Sequence, residues 1–229
     1  MHPMRRHLLR TRARGAAAVF LAALALAACA HAGGGSPPAA QSLLQQSGEA
    51  MGGVSSAHVV LKVDGSLSSL PISSAQGDVA RGGKAQGSFV LGGTEFPFRL
   101  TGGTFYLKPP TGGWVHSPPP YDPSTLLDPA QGLPSLLSRA TGGQTKGSES
   151  VGGTDAYRVE ASIPTDVVAG LTDLAPGQQT LRATVWIATN GHRLVKFRIP
   201  FRTPSADTDT VLTGDLSNFN LAFDVQRPA

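Results

Sequence analysis

The chain of 229 residues carries 19 Lys and Arg against 15 Asp and Glu, with 28 Gly, 18 Pro and a single Cys. One cysteine excludes an internal disulfide, so an exported domain built from this chain must rest on its own apolar core, which roughly 190 residues can supply as one domain. The basic surplus sits in Arg5, Arg6, Arg10, Arg12 and Arg14; beyond them no basic patch interleaved with aromatics remains, which argues against nucleic acid as a partner.

Those arginines open the chain with no acid among them, and an uncharged run of Ala, Leu, Val and Phe follows from Ala16 to Ala28. A basic n-region, a short apolar h-region and small residues at its end describe a secretory signal peptide over residues 1–28. The run is shorter than the roughly 20 apolar residues a spanning helix needs. Leu26-Ala27-Ala28-Cys29 resembles a bacterial lipobox, in which the cysteine is acylated and becomes the mature N-terminus. The alternatives are a buried free thiol, which behaves as a small hydrophobe, and a cleaved secreted protein in which Cys29 is incidental. Arg5-Arg6 leaves the twin-arginine route open beside the general one.

Residues 29–41 read as the acylated cysteine and a flexible Gly/Pro/Ala linker, and 42–229 as the folded domain. A short amphipathic helix places Leu43, Leu44, Ser47 and Met51 on one face and ends at Gly52-Gly53. From Ala57 the period changes to two, with Val59, Leu61 and Val63 on one face and His58, Val60 and Lys62 on the other. Gly-Gly pairs then begin at 82, 92, 102, 112, 142 and 152. Between them lie the strand-like runs SFVL, TEFPFRL and TFYLK, the pattern of an antiparallel meander. GGKAQG at 82–87 lacks the Ser or Thr after Lys that a phosphate loop requires, so hairpin turns are the better account. The stretch 118–140 carries Pro and Asp caps and two apolar clusters, Leu126-Leu127 and Leu133-Leu136-Leu137; it predicts two short helices crossing a face of the sheet. TDAYRVEASI resumes the strands, PTDVVAGL forms a helical turn, and LRATVWIAT, HRLVKFRIPF and TVLTGDLSNFNLAFDV close the chain. The architecture is α+β: about ten antiparallel strands with a few short helices on one face.

Chemistry is sparse. His31, His58, His116 and His192 are scattered, with no HxH or HExxH spacing, which gives no support for a metal site. There is no G-x-S-x-G elbow, and the Asp residues fall mainly in turns, where their side chains bond the backbone. No catalytic residue, metal ligand or cofactor is assigned. What stands out is an apolar strand face: Val59, Leu61, Val63, Phe89, Leu91, Phe96, Phe98 and Leu100, continued by Tyr157, Val159, Val185 and Ile187 and by Val195, Phe197, Ile199, Phe219, Leu221 and Phe223. The ordinary reading is a packed core. Glycine-punctuated sheets coil readily, so the other reading is a curved sheet whose concave side stays hollow.

Several stretches resemble the LppX/LprA/LprF/LprG family of mycobacterial and other actinobacterial cell-envelope lipoproteins: SSAHVVLKVDG at 55–65, GSFVLGG at 87–93, YDPSTLLDPAQGLPSLL at 121–137, TDAYRVEAS at 154–162 and ATVWIATNGHRLVK at 183–196. The resemblance implies a half-barrel, a strongly curved antiparallel sheet with short helices over the concave face enclosing an apolar cavity. Its expected lining is Val59, Leu61, Val63, Phe89, Leu91, Phe96, Phe98, Leu100, Tyr157, Val159, Val185 and Ile187. Leu126, Leu127, Leu133, Leu136 and Leu137 supply the lid. Gly87 stands where the family often has a larger apolar side chain. The implied ligand is an acylated lipid or glycolipid, of the triacylated glycolipid, phosphatidylinositol mannoside, lipoarabinomannan or triacylglycerol type. The resemblance further implies a membrane anchor at Cys29, carriage from the plasma membrane into the envelope, and a major-facilitator exporter as membrane partner. The competing readings are a lipid-free scaffold and an accessory subunit of an exporter.

Overall fold

The architecture was taken from a computed structural model, which describes residues 37–66, 71–118, 122–167, 180–201 and 210–229. Cys29, the expected leader and most of the expected linker lie outside them, as do the tyrosine of the YDP stretch and the end of the PTDVVAGL stretch. Helix α1 (Ala40–Gly52) begins just inside the expected linker and buries Leu43, Leu44, Ser47 and Met51, the face that its 3.6-residue spacing predicts. Its other side, with Gln41, Ser42, Gln45 and Gln46, is exposed.

Eleven strands follow, β1 (Ser56–Asp64), β2 (Ile72–Ala80), β3 (Lys84–Leu91), β4 (Thr94–Thr101), β5 (Thr104–Leu107), β6 (Val115–His116), β7 (Thr141–Val151), β8 (Thr154–Pro164), β9 (Thr180–Ala188), β10 (Leu194–Phe201) and β11 (Thr210–Ser217). They form one antiparallel sheet in the order β6-β5-β4-β3-β2-β1-β11-β10-β9-β8-β7. Two meanders thus meet at the β1–β11 pairing, and the sheet keeps free edges at β6 and β7. A 3₁₀ segment (Pro123–Leu127) and helix α2 (Leu133–Arg139) connect the two meanders.

The glycine pairs explain the turns. At 92–93, 102–103 and 152–153 both residues have positive φ, the twist that a two-residue hairpin needs to continue the right-handed twist of its strands. Gly142 and Gly143 behave otherwise. They lie inside β7, where the register slips between Thr141 and Gln144, and α1 packs so closely that a Cβ on Gly143 would meet Ala40 Cβ at 2.9 Å. β2 and β7 were not legible as strands, because ISSAQGDVA and TGGQTKGSESV carry too few apolar residues to alternate.

Two expectations are corrected near the C-terminus. The last strand stops at Ser217 instead of running through Phe223, because Asn218 and Asn220 adopt left-handed backbone, φ 52° and 61°. The tail then leaves the ladder, with Asn220 N donating to Ser56 O and Arg99 Nη1 to Gln226 O. Leu221 is consequently exposed, and Phe219 packs with Val195. Val195 itself sits at a bulge between Leu194 and Lys196, which removes it from the inward parity and joins it to Ala156 and Ala188.

Curvature has a local cause in the first meander. Gly77 and Gly87 face each other across β2 and β3. A Cβ built on Gly87 would lie 2.0 Å from Gln76 O and 2.6 Å from Gly77 Cα, so only a strand pair without side chains allows this approach. Gly87, where the resemblance implies a larger side chain, thus faces a glycine across the strand pair. Substituting Gly87→Ala should cost about 1–3 kcal/mol in urea unfolding. Gly113→Ala, where no atom lies within 4 Å of the new Cβ, should stay within about 0.5 kcal/mol.

Candidate functional site: the covered face of the sheet

Parity along each strand puts one set of side chains under the helices. Three rows cross this face from β1, two of them to β5 and the third to β4. The first is Ala57, Val79, Ala85, Leu100 and Phe105; the second Val59, Gly77, Gly87, Phe98 and Leu107; the third Leu61, Ala75, Phe89 and Phe96. Phe89 stacks on Phe96 with ring centroids 5.7 Å apart, and Phe98 on Phe105 at 5.6 Å, geometries that add to area burial.

Burial is graded across these rows. Every member of the first row is at most 4% exposed. In the second, Gly77, Gly87 and Leu107 keep accessible surface, and in the third Leu61, Ala75 and Phe96 do so while belonging to the same apolar cluster. Leu91, one step further along the inward parity of β3, is 38% exposed. The covered face is thus shut at the β2–β3 turn and opens toward the β3–β4 turn on β3 and β4, while Val63 and Ile72 close the same level on β1 and β2. The two central glycines deepen the floor between.

The cover is built to hold this shape. The 3₁₀ segment packs against β2 and β3, α2 against β8, and α1 against α2, β7 and β9. Asp122 caps the 3₁₀ segment, accepting from Ser124 N at 2.9 Å and Ser124 Oγ at 2.7 Å. Asp128 accepts from Ala130 N and Gln131 N, and Gly132 N donates to Asp128 O, so the turn into α2 is fully bonded. Close approach marks both joints. A Cβ on Gly132 would meet Thr125 O at 2.3 Å, and one on Gly48 of α1 would meet Ser138 Oγ of α2 at 2.2 Å. Ser47 Oγ, fully buried under α1, is the one buried side-chain polar atom among the described residues with no hydrogen-bond partner.

The eighteen expected lining residues fall into three groups. Val59, Val63, Phe89, Phe98, Leu100, Val159, Val185 and Ile187 are buried in the single cluster formed by floor and cover, as are Leu127, Leu133, Leu136 and Leu137 from the cover side. Leu61, Phe96, Leu126 and Tyr157 are half-buried against it, and Gly87 is half-exposed in the floor. Leu91 lies at the rim. Tyr157 stands apart from the open end of the first meander, since it pairs with Ile187 near the β7–β8 turn. Sequence reasoning missed Ala75, Gly77 and Leu107 because β2 lacked a legible pattern and TFYLK was too short to fix its parity. It also missed Arg81, whose guanidinium donates to three backbone carbonyls of the cover.

The outer face differs. His58 Nδ1 and Asp78 Oδ1 are 2.8 Å apart, Trp186 Nε1 donates to Glu149, and Lys196 lies 5.7 Å from the Trp186 ring centre. A hollow of about 540 Å³ on this side is lined by Val60, Val195, Asp215 and Phe219 among others. No group of three or more His, Cys, Asp or Glu able to hold a metal occurs among the described residues. No described helix is long and apolar enough to cross a membrane.

An open, curved antiparallel sheet with a helical cover on its apolar face defines the class of molecule. The family model described as LppX_LprAFG lipoprotein matches residues 39–225, and the chain belongs to that family. A lipoarabinomannan carrier protein LprG of Mycolicibacterium hassiacum is 32% identical over 236 residues, covering 96% of this chain and all of that one. A putative phthiocerol dimycocerosate transporter LppX of Mycobacterium bovis is 41% identical over 78 residues, 33% of this chain and 32% of that one. Among solved structures, LprF from Mycobacterium bovis superposes with a TM-score of 0.72 at 28% identity, covering 84% of this chain and 98% of that one. LppX from Mycobacterium tuberculosis gives 0.64 at 28% identity, covering 83% and 100%.

The burial gradient predicts an asymmetry in stability. Leu137→Ala, at a fully buried position of the cover, should cost about 2–5 kcal/mol. Leu126→Ala, half-buried a few residues away, should cost under about 1.5 kcal/mol, the two compared by denaturant unfolding.

Proposed function

We propose that the half-open strip between the 3₁₀ segment and β1–β5 takes the acyl chains of a membrane lipid or glycolipid, and that the protein carries this lipid from the plasma membrane into the cell envelope without catalysis. The observation that carries the reading is the graded burial of the covered face: Leu61, Ala75, Phe96, Leu107 and Leu126 are apolar, belong to the core cluster and yet keep accessible surface. Membership of a family that includes proteins named as a lipoarabinomannan carrier and a phthiocerol dimycocerosate transporter supports it.

The energetics give the role its physical sense. A lipid crossing water exposes its chains at about 0.8 kcal/mol per CH₂, or roughly 12 kcal/mol for one sixteen-carbon chain, so spontaneous transfer is slow. A strip of Leu, Phe and Ala offsets much of that cost and lowers the barrier to desorption. Chains enter at the β3–β4 end, past Leu91, and the head group stays at that rim, where water and polar side chains meet it. The ligand class is an acylated glycolipid, phosphatidylinositol mannoside or triacylglycerol. Cys29, acylated as the mature N-terminus, holds the domain at the outer face of the plasma membrane. Residues 30–39 give it reach, and a major-facilitator exporter is the membrane partner.

Expression of residues 30–229 without the anchor, followed by solvent extraction and mass spectrometry of the purified protein, should release acyl lipid near one equivalent. Phe96→Asp, placed where accessible surface spares the fold, should abolish that lipid with the circular dichroism unchanged; lipid retained at parental level would remove the strip from consideration. A separate variant, Cys29→Ser in the full-length chain, should move the protein from the membrane pellet to the soluble fraction of an actinobacterial host.

A further inference from the structure

Arg81 lies in the β2–β3 turn, at the shut end of the covered face. Its guanidinium makes three bonds to main-chain carbonyls on two separate parts of the cover. Nε donates to Leu127 O at 2.9 Å, at the end of the 3₁₀ segment; Nη2 donates to Met51 O at 3.2 Å and Gly52 O at 2.8 Å, at the end of α1. Its own amide donates to Ser55 O at 3.0 Å, which fixes the turn that presents it. α1 has no basic residue in its last turn; Val54 N already donates to Met51 O, and Arg81 adds a second donor there and meets Gly52 O from another element. A cation at that position also complements the negative end of the helix dipole. No carboxylate pairs with Arg81 among the described residues, so its side-chain bonds go to the cover alone.

The capped and bonded turns at Asp122 and Asp128, with the close approach at Gly132, make residues 122–139 one stiff piece. At its α2 end that piece is held by apolar packing on α1 and by the Arg139–Asp166 pair. At its other end Arg81 Nε to Leu127 O is a polar tie to the sheet.

We propose that Arg81 is the positioning residue that pins the cover onto the shut end of the strip, so that a bound acyl chain has one exit and dissociates slowly. The inference rests on the carrier reading above and adds to it the residue that sets retention. With Arg81 truncated, the 3₁₀ segment lifts from β2 and β3, and the strip opens at both ends.

The test uses purified full-length lipoprotein loaded with pyrene-labelled phosphatidylcholine, and follows release into unlabelled phosphatidylcholine vesicles. Losing charge-assisted bonds of this type should make Arg81→Ala release the label about tenfold faster at unchanged saturation stoichiometry. Arg81→Lys, which keeps the charge on a compact head that cannot fork to three carbonyls, should fall between. Amide hydrogen exchange on the same proteins should rise at residues 123–128 and 51–54 while the β8–β11 ladders stay protected. Release within about twofold of the parent, or exchange unchanged at those segments, overturns the proposal, because it requires both a loosened cover and a faster exit. Exchange raised across the whole sheet assigns Arg81 a general stabilising part and overturns it as well. A parent protein that takes up no labelled lipid refutes the carrier reading, and local amide exchange in the two variants then decides the tie on its own.

Discussion

The antiparallel pairing of β1 with β11 is the constraint on which the rest of the molecule depends. It joins residues about 150 positions apart in the sequence, setting Val59 opposite Leu216, Leu61 opposite Gly214 and Val63 opposite Leu212. Each meander alone pairs strands that follow one another along the chain. Only their junction makes a sheet wide enough for α1, α2 and the 3₁₀ segment to lie across one face. Gly214 marks the fit at the seam: the Phe197 ring occupies the space its side chain would need, with Leu61 Cδ2 beside it. A junction of such long sequence separation carries a loop-closure cost in folding.

The two halves of that sheet serve different ends. Under α1 and α2 the second meander is packed tight: Val159, Ile163, Val185 and Ile187 are at most 1% exposed. Under the 3₁₀ segment the first meander is tight at one row and open two rungs away. Close packing would have been cheaper in stability than an apolar strip left with accessible surface, which forfeits the burial term. That accessible apolar strip is the surface on which the proposed acyl chain would rest. The glycines of the floor fit the same logic. Gly77 and Gly87 permit strong coiling and leave nothing projecting into the middle row.

Much of this was legible in the residues, and the reasons are specific. Period-two alternation in AHVVLKVD, DAYRVEASI and TVWI fixed which side chains share a face, and the Gly-Gly pairs marked hairpins. Where the signal failed, a physical cause can be named. β2 and β7 carry too few apolar residues for a period to show in either. The bulge at Val195 reverses parity without leaving a mark in the sequence. Positive φ at Asn218 and Asn220 ended a strand whose alternation read on through Phe223. Among the expected lining residues, parity alone could not separate the fully buried from the half-open.

From the sequence alone came the helix–sheet make-up, the inward parity of most strands, the absence of a disulfide and the resemblance to a family of lipoproteins, because these depend on local periodicity, composition and short motifs. The tertiary structure decided the rest: the β1–β11 junction, the pairing of Gly77 with Gly87, the grading of burial across the floor and the reach of Arg81 to Leu127, Met51 and Gly52. Each of these is a contact between residues distant along the chain, set by how two coiled half-sheets and a short cover fit together, and no local pattern encodes such a fit.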